Sequence, residues 1–165
     1  MYRCRTGKET PVNRPDYKTA AMQLQSLIED NEYEITALSN AAALIWELLD
    51  EINWAGFYLM RDGILILGPF QGKVACTRIP VGKGVCGTAV AQDCVQLVKN
   101  VHEFPGHIAC DSASNSEIVL PLHRNGAVYG VLDIDSPVLA RFTEEDRQGL
   151  GMLADVLEQN LEKMK

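Results

Sequence analysis

The chain has 165 residues, 47% of them apolar and 22% charged, with a net charge of −7. That length suits one domain with a substantial buried core, and the composition is that of an ordinary globular protein. The acidic balance argues against general affinity for nucleic acid or anionic membranes. No apolar run approaches the roughly 18 residues of a membrane-spanning helix.

The first residues, "MYRCRTGKETPVNRPD", lack the apolar stretch of a secretory signal. Residues 1–15 are expected to be a mobile tail, and residues 16–165 the folded domain. "DYKTAAMQLQSLIED" and "NEYEITALSNAAALIWELLDEI" carry helical apolar spacing, with Asn31 as a cap between them. "INWAGFYLM" turns to aromatic and β-branched residues and, across "RDG", forms a hairpin with "ILILGPF". "VACTRIPV" reads as a third strand, followed by the glycine-rich turn "VGKGVCG", a short helix "TAVAQD" and a brief strand "VQLVKN". A loop spans roughly residues 100–115.

"SEIVLPLH" and "AVYGVLDID" make a second hairpin around Asn125-Gly126, and "FTEEDRQGLGMLADVLEQNLEKM" is an amphipathic helix with Thr143 as N-cap. Helices, then hairpins, then a helix imply an α+β domain, an antiparallel sheet flanked by helices.

Five cysteines, Cys4, Cys76, Cys86, Cys94 and Cys110, form an odd set in a chain without a secretory signal. A static extracellular disulfide framework is therefore not expected, and a reducing, cytoplasmic location is. Cys110 stands in a loop, "HIACDSASNSE", where a thiol is accessible. Cys86 lies near a helix start, where the dipole favours thiolate. Each is also readable as an inert core cysteine. A zinc site drawn from Cys76, Cys86, Cys110 and His102 or His107 is the metal alternative, but the paired spacing of structural zinc ligands is missing. His102 and His107 otherwise read as loop residues.

In "VLDID", Asp133 and Asp135 share one face of a strand, where Asp is disfavoured. A three-residue loop, Arg124-Asn125-Gly126, sets Glu117 opposite Asp133 and gathers three carboxyls on that face. A two-residue Asn-Gly loop pairs Glu117 with Ile134 and turns it away. A bulge at Pro121 changes either count. A solvated face is the plain explanation of these acids. A site that holds a cation or a shared proton is the functional one.

The strings "INWAGFYL", "LGPFQGKVACTRIPVGKGVCGTAVA", "HIACDSASNSEIVLPL" and "GVLDIDS" closely resemble free methionine-(R)-sulfoxide reductases, which are single GAF domains. The resemblance covers roughly residues 30–160. It implies that the N- and C-terminal helices pack together and that the protein reduces the R-epimer of free methionine sulfoxide. By the same resemblance Cys110 is the catalytic cysteine, Cys76 resolves its sulfenic acid to a disulfide, and Cys86 is implicated in recycling. Glu117, Asp133 and Asp135 match the substrate-binding acids, Trp54 and Tyr58 the aromatic wall. Ile108 and Ala109 lie in the loop that offers backbone donors to the substrate carboxylate. Thioredoxin is the implied reductant, a homodimer the frequent assembly, and no metal or organic cofactor is needed. Cys4 and Cys94 match no role. The rival is a GAF domain that senses a small ligand or redox state without turnover.

Overall fold

A computed structural model describes residues 14–108 and 110–165. Most of the expected tail, Cys4 included, lies outside the described residues. Helix α1 (Tyr17–Ile28) starts where the Asp16 carboxylate accepts from the Thr19 amide at 3.0 Å. Helix α2 (Glu34–Leu48) follows. Asn31 does not cap it. Its side-chain amide donates to the Tyr33 carbonyl at 2.6 Å and shapes the connection instead.

Strands β1 (Trp54–Arg61) and β2 (Ile64–Gly72) form the first hairpin, with Asp62 and Gly63 both at positive φ. The third strand is shorter than expected: β3 covers only Arg78–Pro80, and Cys76 sits in the connection before it. Helix α3 (Gly84–Gln92) begins earlier than expected and so includes Cys86 in its first turn. Strand β4 (Gln96–Val98) and a 3₁₀ turn lead to the second hairpin, β5 (Ser116–Arg124) and β6 (Ala127–Ser136). Helix α4 (Glu144–Leu161) closes the fold with a capping box between Thr143 and Asp146.

The six strands form one sheet in the order β3-β2-β1-β6-β5-β4, and all the described pairs are antiparallel. Alternation sends Ala55, Phe57, Leu59, Ile118, Leu120, Leu122, Leu132 and Ile134 to one face, where they join the apolar sides of α1, α2 and α4. As expected, α1 and α4 pack together: the Tyr17 hydroxyl donates to Asp146 at 2.5 Å, and Gly149 lies under the Tyr17 ring. The opposite face carries Trp54, Tyr58, Val119 and Val131, covered by α3. The site lies there.

Candidate active site

The β5–β6 register decides which acids share that face. The turn is the two-residue one: Arg124 pairs with Ala127, and Asn125 and Gly126 take φ of 52° and 74°, the left-handed region that glycine enters freely and asparagine tolerates. On that count alone Glu117 would meet Ile134. The register slips by one between Leu122 and His123, however, since Leu122 pairs with Gly130 and His123 with Val128, leaving Tyr129 as the extra residue. The bulge restores parity and Glu117 pairs with Asp135. The three carboxyls do share one face, but Glu117 is opposite Asp135 rather than Asp133, and the bulge lies one residue past Pro121.

Neighbouring strands extend the rows. Trp54 is beside Asp135, and Gly56 beside Asp133. A Cβ on Gly56 would overlap Phe70 on β2, so the position is closed to any side chain. With none between them, the Trp54 and Tyr58 rings come to 5.8 Å, and Trp54 stacks on Phe70 at 5.2 Å. The Trp54 indole donates to the Lys73 carbonyl at 3.1 Å and the Tyr58 hydroxyl to the Cys76 carbonyl at 2.9 Å. The aromatic wall thereby fixes the connection that carries Cys76.

These elements surround a partly enclosed pocket, lined by Trp54, Tyr58, Cys86, Ile108, Cys110, Glu117, Asp133 and Asp135 among others. Cys76 and Cys110 are joined by a disulfide with Cα atoms 5.6 Å apart, within the usual span. Of the residues expected at the site, Ala109 alone lies outside the described residues. Cys94 is exposed beside Gln92 and Gln96, away from the pocket.

Burial sets the electrostatics. Glu117 and Asp133 are each 5% exposed. Desolvation, then repulsion from Asp133 and Asp135, pushes Glu117 well above the usual carboxylate range. Desolvation raises Asp133 to about 6, and desolvation followed by repulsion from Asp133 pushes Asp135 well up. Asp133 Oδ1 is buried without a hydrogen-bond partner.

Cys86 departs from its expected state. It is 3% exposed, with Sγ 3.9 Å from Glu117 Oε1. Burial and the adjacent Asp133 and Glu117 charges raise its thiol well above the ordinary value, against the pull of the α3 dipole. It is a protonated thiol, not a thiolate. The alternative zinc set of Cys76, Cys86 and Cys110 is not assembled, because two of its sulfurs are bonded to each other.

Several site residues escaped the sequence reading. His107, taken for a loop residue, has a side chain only 15% exposed and Nε2 3.8 Å from Glu117 Oε2; burial, then His102, lowers its pKa, so the ring is neutral near pH 7. Asn53 donates from Nδ2 to Asp111 Oδ2 and Ser114 Oγ, both at 3.1 Å, and ties the loop after Cys110 to β1. Lys73 lies 4.0 Å from Asp111, a second tie across the mouth. For His107 the sequence held only its place three residues before Cys110 and its candidacy in the alternative zinc set.

A family model described as "GAF domain" matches residues 32–162. The chain is 62% identical to the free methionine-R-sulfoxide reductase of Escherichia coli over 127 residues, 77% of each chain. Its structure is similar to that of fRMsr of Staphylococcus aureus in complex with substrate, with TM-score 0.87, 49% identity and coverage of 92% of this chain and 99% of that one. It is similar also to the Neisseria meningitidis free methionine-R-sulfoxide reductase in complex with its substrate, with TM-score 0.87, 41% identity and coverage of 99% and 97%.

Proposed function

The chain belongs to the GAF-domain family of free methionine-(R)-sulfoxide reductases, and we propose that it reduces its substrate through Cys110 and a disulfide with Cys76. The observation that carries this reading is the convergence of three carboxyls, those of Glu117 and Asp133 buried, with the Cys76–Cys110 bridge at one pocket. The Cys110 thiolate attacks the sulfoxide sulfur. The oxygen takes a proton from the carboxyl cluster, whose raised pKa values keep an acid present near neutral pH. The sulfur–sulfur bond formed by the attack then breaks as the protonated oxygen passes to the Cys110 sulfur, so that methionine leaves as the thioether and Cys110 carries the oxygen as a sulfenic acid. The Cys76 thiol then displaces it as water, forming the disulfide.

The remaining charge of Glu117, Asp133 and Asp135 holds the substrate ammonium. Trp54 and Tyr58 receive the methyl end, and backbone amides around Ile108 and Ala109 take the carboxylate. A peptide-linked residue presents neither charge, which restricts the reaction to the free amino acid. Reduction of the disulfide consumes two thiols, supplied by thioredoxin in a reducing cytoplasm. Cys86 enters only at that stage, as a thiol whose proton passes to Glu117. Met22, Leu27 and Met152 are exposed on the packed helices α1 and α4 and offer apolar area for a homodimer. Among the described residues no helix is long and apolar enough to cross a membrane.

The test is methionine release from free L-methionine-(R)-sulfoxide with dithiothreitol, wild type against Cys110→Ser. Activity lost in the variant and absent with the S-epimer supports the reading. An active Cys110→Ser protein moves the nucleophile to another cysteine. A folded, reduced wild type without turnover leaves a ligand sensor.

A further inference from the structure

We infer that Cys86, Glu117 and Asp133 form a binding site for a thiophilic divalent cation such as Zn²⁺ or Cd²⁺, at the place the substrate ammonium would take. Their ligand atoms, one sulfur and two carboxyl oxygens, lie within 4.8 Å of one another, and all three residues are buried. A tetrahedral zinc site with bonds of about 2.0 Å to oxygen and 2.3 Å to sulfur sets its ligand atoms roughly 3.3–3.6 Å apart. Cys86 Sγ already lies 3.9 Å from Glu117 Oε1, with Cys86 carried by α3 and the two acids by the β5–β6 pair.

Asp133 Oδ1 is an independent pointer. It is a buried carboxyl oxygen with no donor, in a residue 5% exposed, and it belongs to a group that lines the pocket. Such an atom is costly unless something positive meets it. Among the described residues no cationic side chain does. Lys73, near the pocket mouth, is 75% exposed and lies against Asp111. A thiolate and two carboxylates bring three negative charges, which a dication offsets better than one ammonium.

The donor set also selects the ion. One soft sulfur with two hard oxygens suits Zn²⁺ or Cd²⁺ and disfavours Mg²⁺ and Ca²⁺, which take oxygen alone. Asp135, which lines the same pocket, or a water would supply a fourth ligand. Binding displaces the Cys86 thiol proton, and the proton held by the carboxyl cluster, to solvent and changes no oxidation state. The ion is therefore an inhibitor, not a cofactor. That competition rests on the reductase reading; the site itself does not.

The probe is Cd²⁺ added to the oxidised protein, in which the disulfide withholds Cys76 and Cys110, with Cys4→Ser and Cys94→Ser removing the other free thiols. The expected result is one equivalent bound, with the ultraviolet charge-transfer band of a single cadmium thiolate. Cys86→Ala in this background loses the band. Asp133→Asn keeps the thiol and binds about tenfold more weakly or worse, as partners of a metal site do when changed. No band, or a band that survives Cys86→Ala in a protein shown to be folded, overturns the site. Metal-free turnover of the reduced enzyme judges the reductase reading separately.

Discussion

One sheet serves two purposes on its two faces. On β6, Leu132 and Ile134 point to the helices and are fully buried, while Asp133 and Asp135, between and after them, point to the pocket. On β1, Ala55, Phe57 and Leu59 oppose Trp54, Gly56 and Tyr58 in the same way. The helical face is a mostly apolar core built with all three large helices. The pocket face buries acids and a thiol beside one another, which disfavours the charged forms and weakens the fold. Stability and chemistry are thus divided by the pleat of single strands, and substitutions one residue apart should act on different quantities.

The largest effect is expected on the helical face. Leu120 on β5 is 3% exposed and packs into the helical core. Leu120→Ala should cost about 3 kcal/mol of unfolding free energy in urea titrations. The substrate KM should hardly change, because the side chain points away from the pocket. A large rise in KM at equal folded fraction would mean that the two faces are mechanically coupled. Glu117→Gln, three residues earlier and on the other face, should do the reverse. The isosteric amide keeps the volume and removes an ionisable group from the acid cluster, so kcat/KM should fall about 30–100-fold, the scale of a lost charged hydrogen bond. Urea stability should hold or rise. A destabilised Glu117→Gln protein would show that the carboxyl holds the fold together.

The pH dependence of stability sharpens the contrast. Asp133 is raised from 3.8 to about 6, mainly by desolvation. Between those values the folded chain keeps a proton that the unfolded chain has released. The stability this proton contributes is complete below about pH 4 and is lost as pH rises through about 6. The expected loss is on the order of 2 kcal/mol. Urea titrations at pH 4.5 and 7, with chelator present, should show it, and Asp133→Asn should flatten the slope. A wild type whose stability rises steadily over that range would contradict the buried carboxyl cluster.

The helical face was largely legible in the sequence, because helical spacing and strand alternation are local patterns. The terminal helices, both hairpins and the Thr143 cap follow from them. The pocket face was less so. Whether Glu117 joins the two aspartates depends on the bulge at Tyr129, a single-residue slip with no marker in composition. The turn chemistry of Asn125-Gly126 by itself gives the opposite face. Cys86 misled for a related reason: proximity to a helix start is local, whereas the acids that raise its pKa arrive from β5 and β6. Asn53, Asp111 and Ser114 are brought together by tertiary structure alone. Loop position, helix start and strand register singled out the cysteines and acids at the outset, but their roles, and the aromatic wall, came from the resemblance of long strings of the chain to a known family.

His123 joins the two sides and should give the smallest effect. It lies on β5 just past the bulge, with Nε2 2.7 Å from Asp93 at the end of α3 and Nδ1 2.9 Å from Glu158 on α4. Hydrogen bonds to Glu158, then to Asp93, raise its pKa above the ordinary histidine value. The imidazolium therefore links a pocket-side helix to a core-side helix. Its contribution is complete below about pH 6.5, the unfolded value, and disappears as pH rises through the raised folded one. With the side chain 38% exposed, solvent screening keeps the loss below about 1 kcal/mol. His123→Gln should remove that slope between pH 6 and 8.5 in urea titrations. It should leave KM unchanged, since the ring is far along β5 from Glu117. A KM that tracks the His123 titration in wild type, and not in the variant, would instead mean that α3 moves with it and carries the link into the pocket.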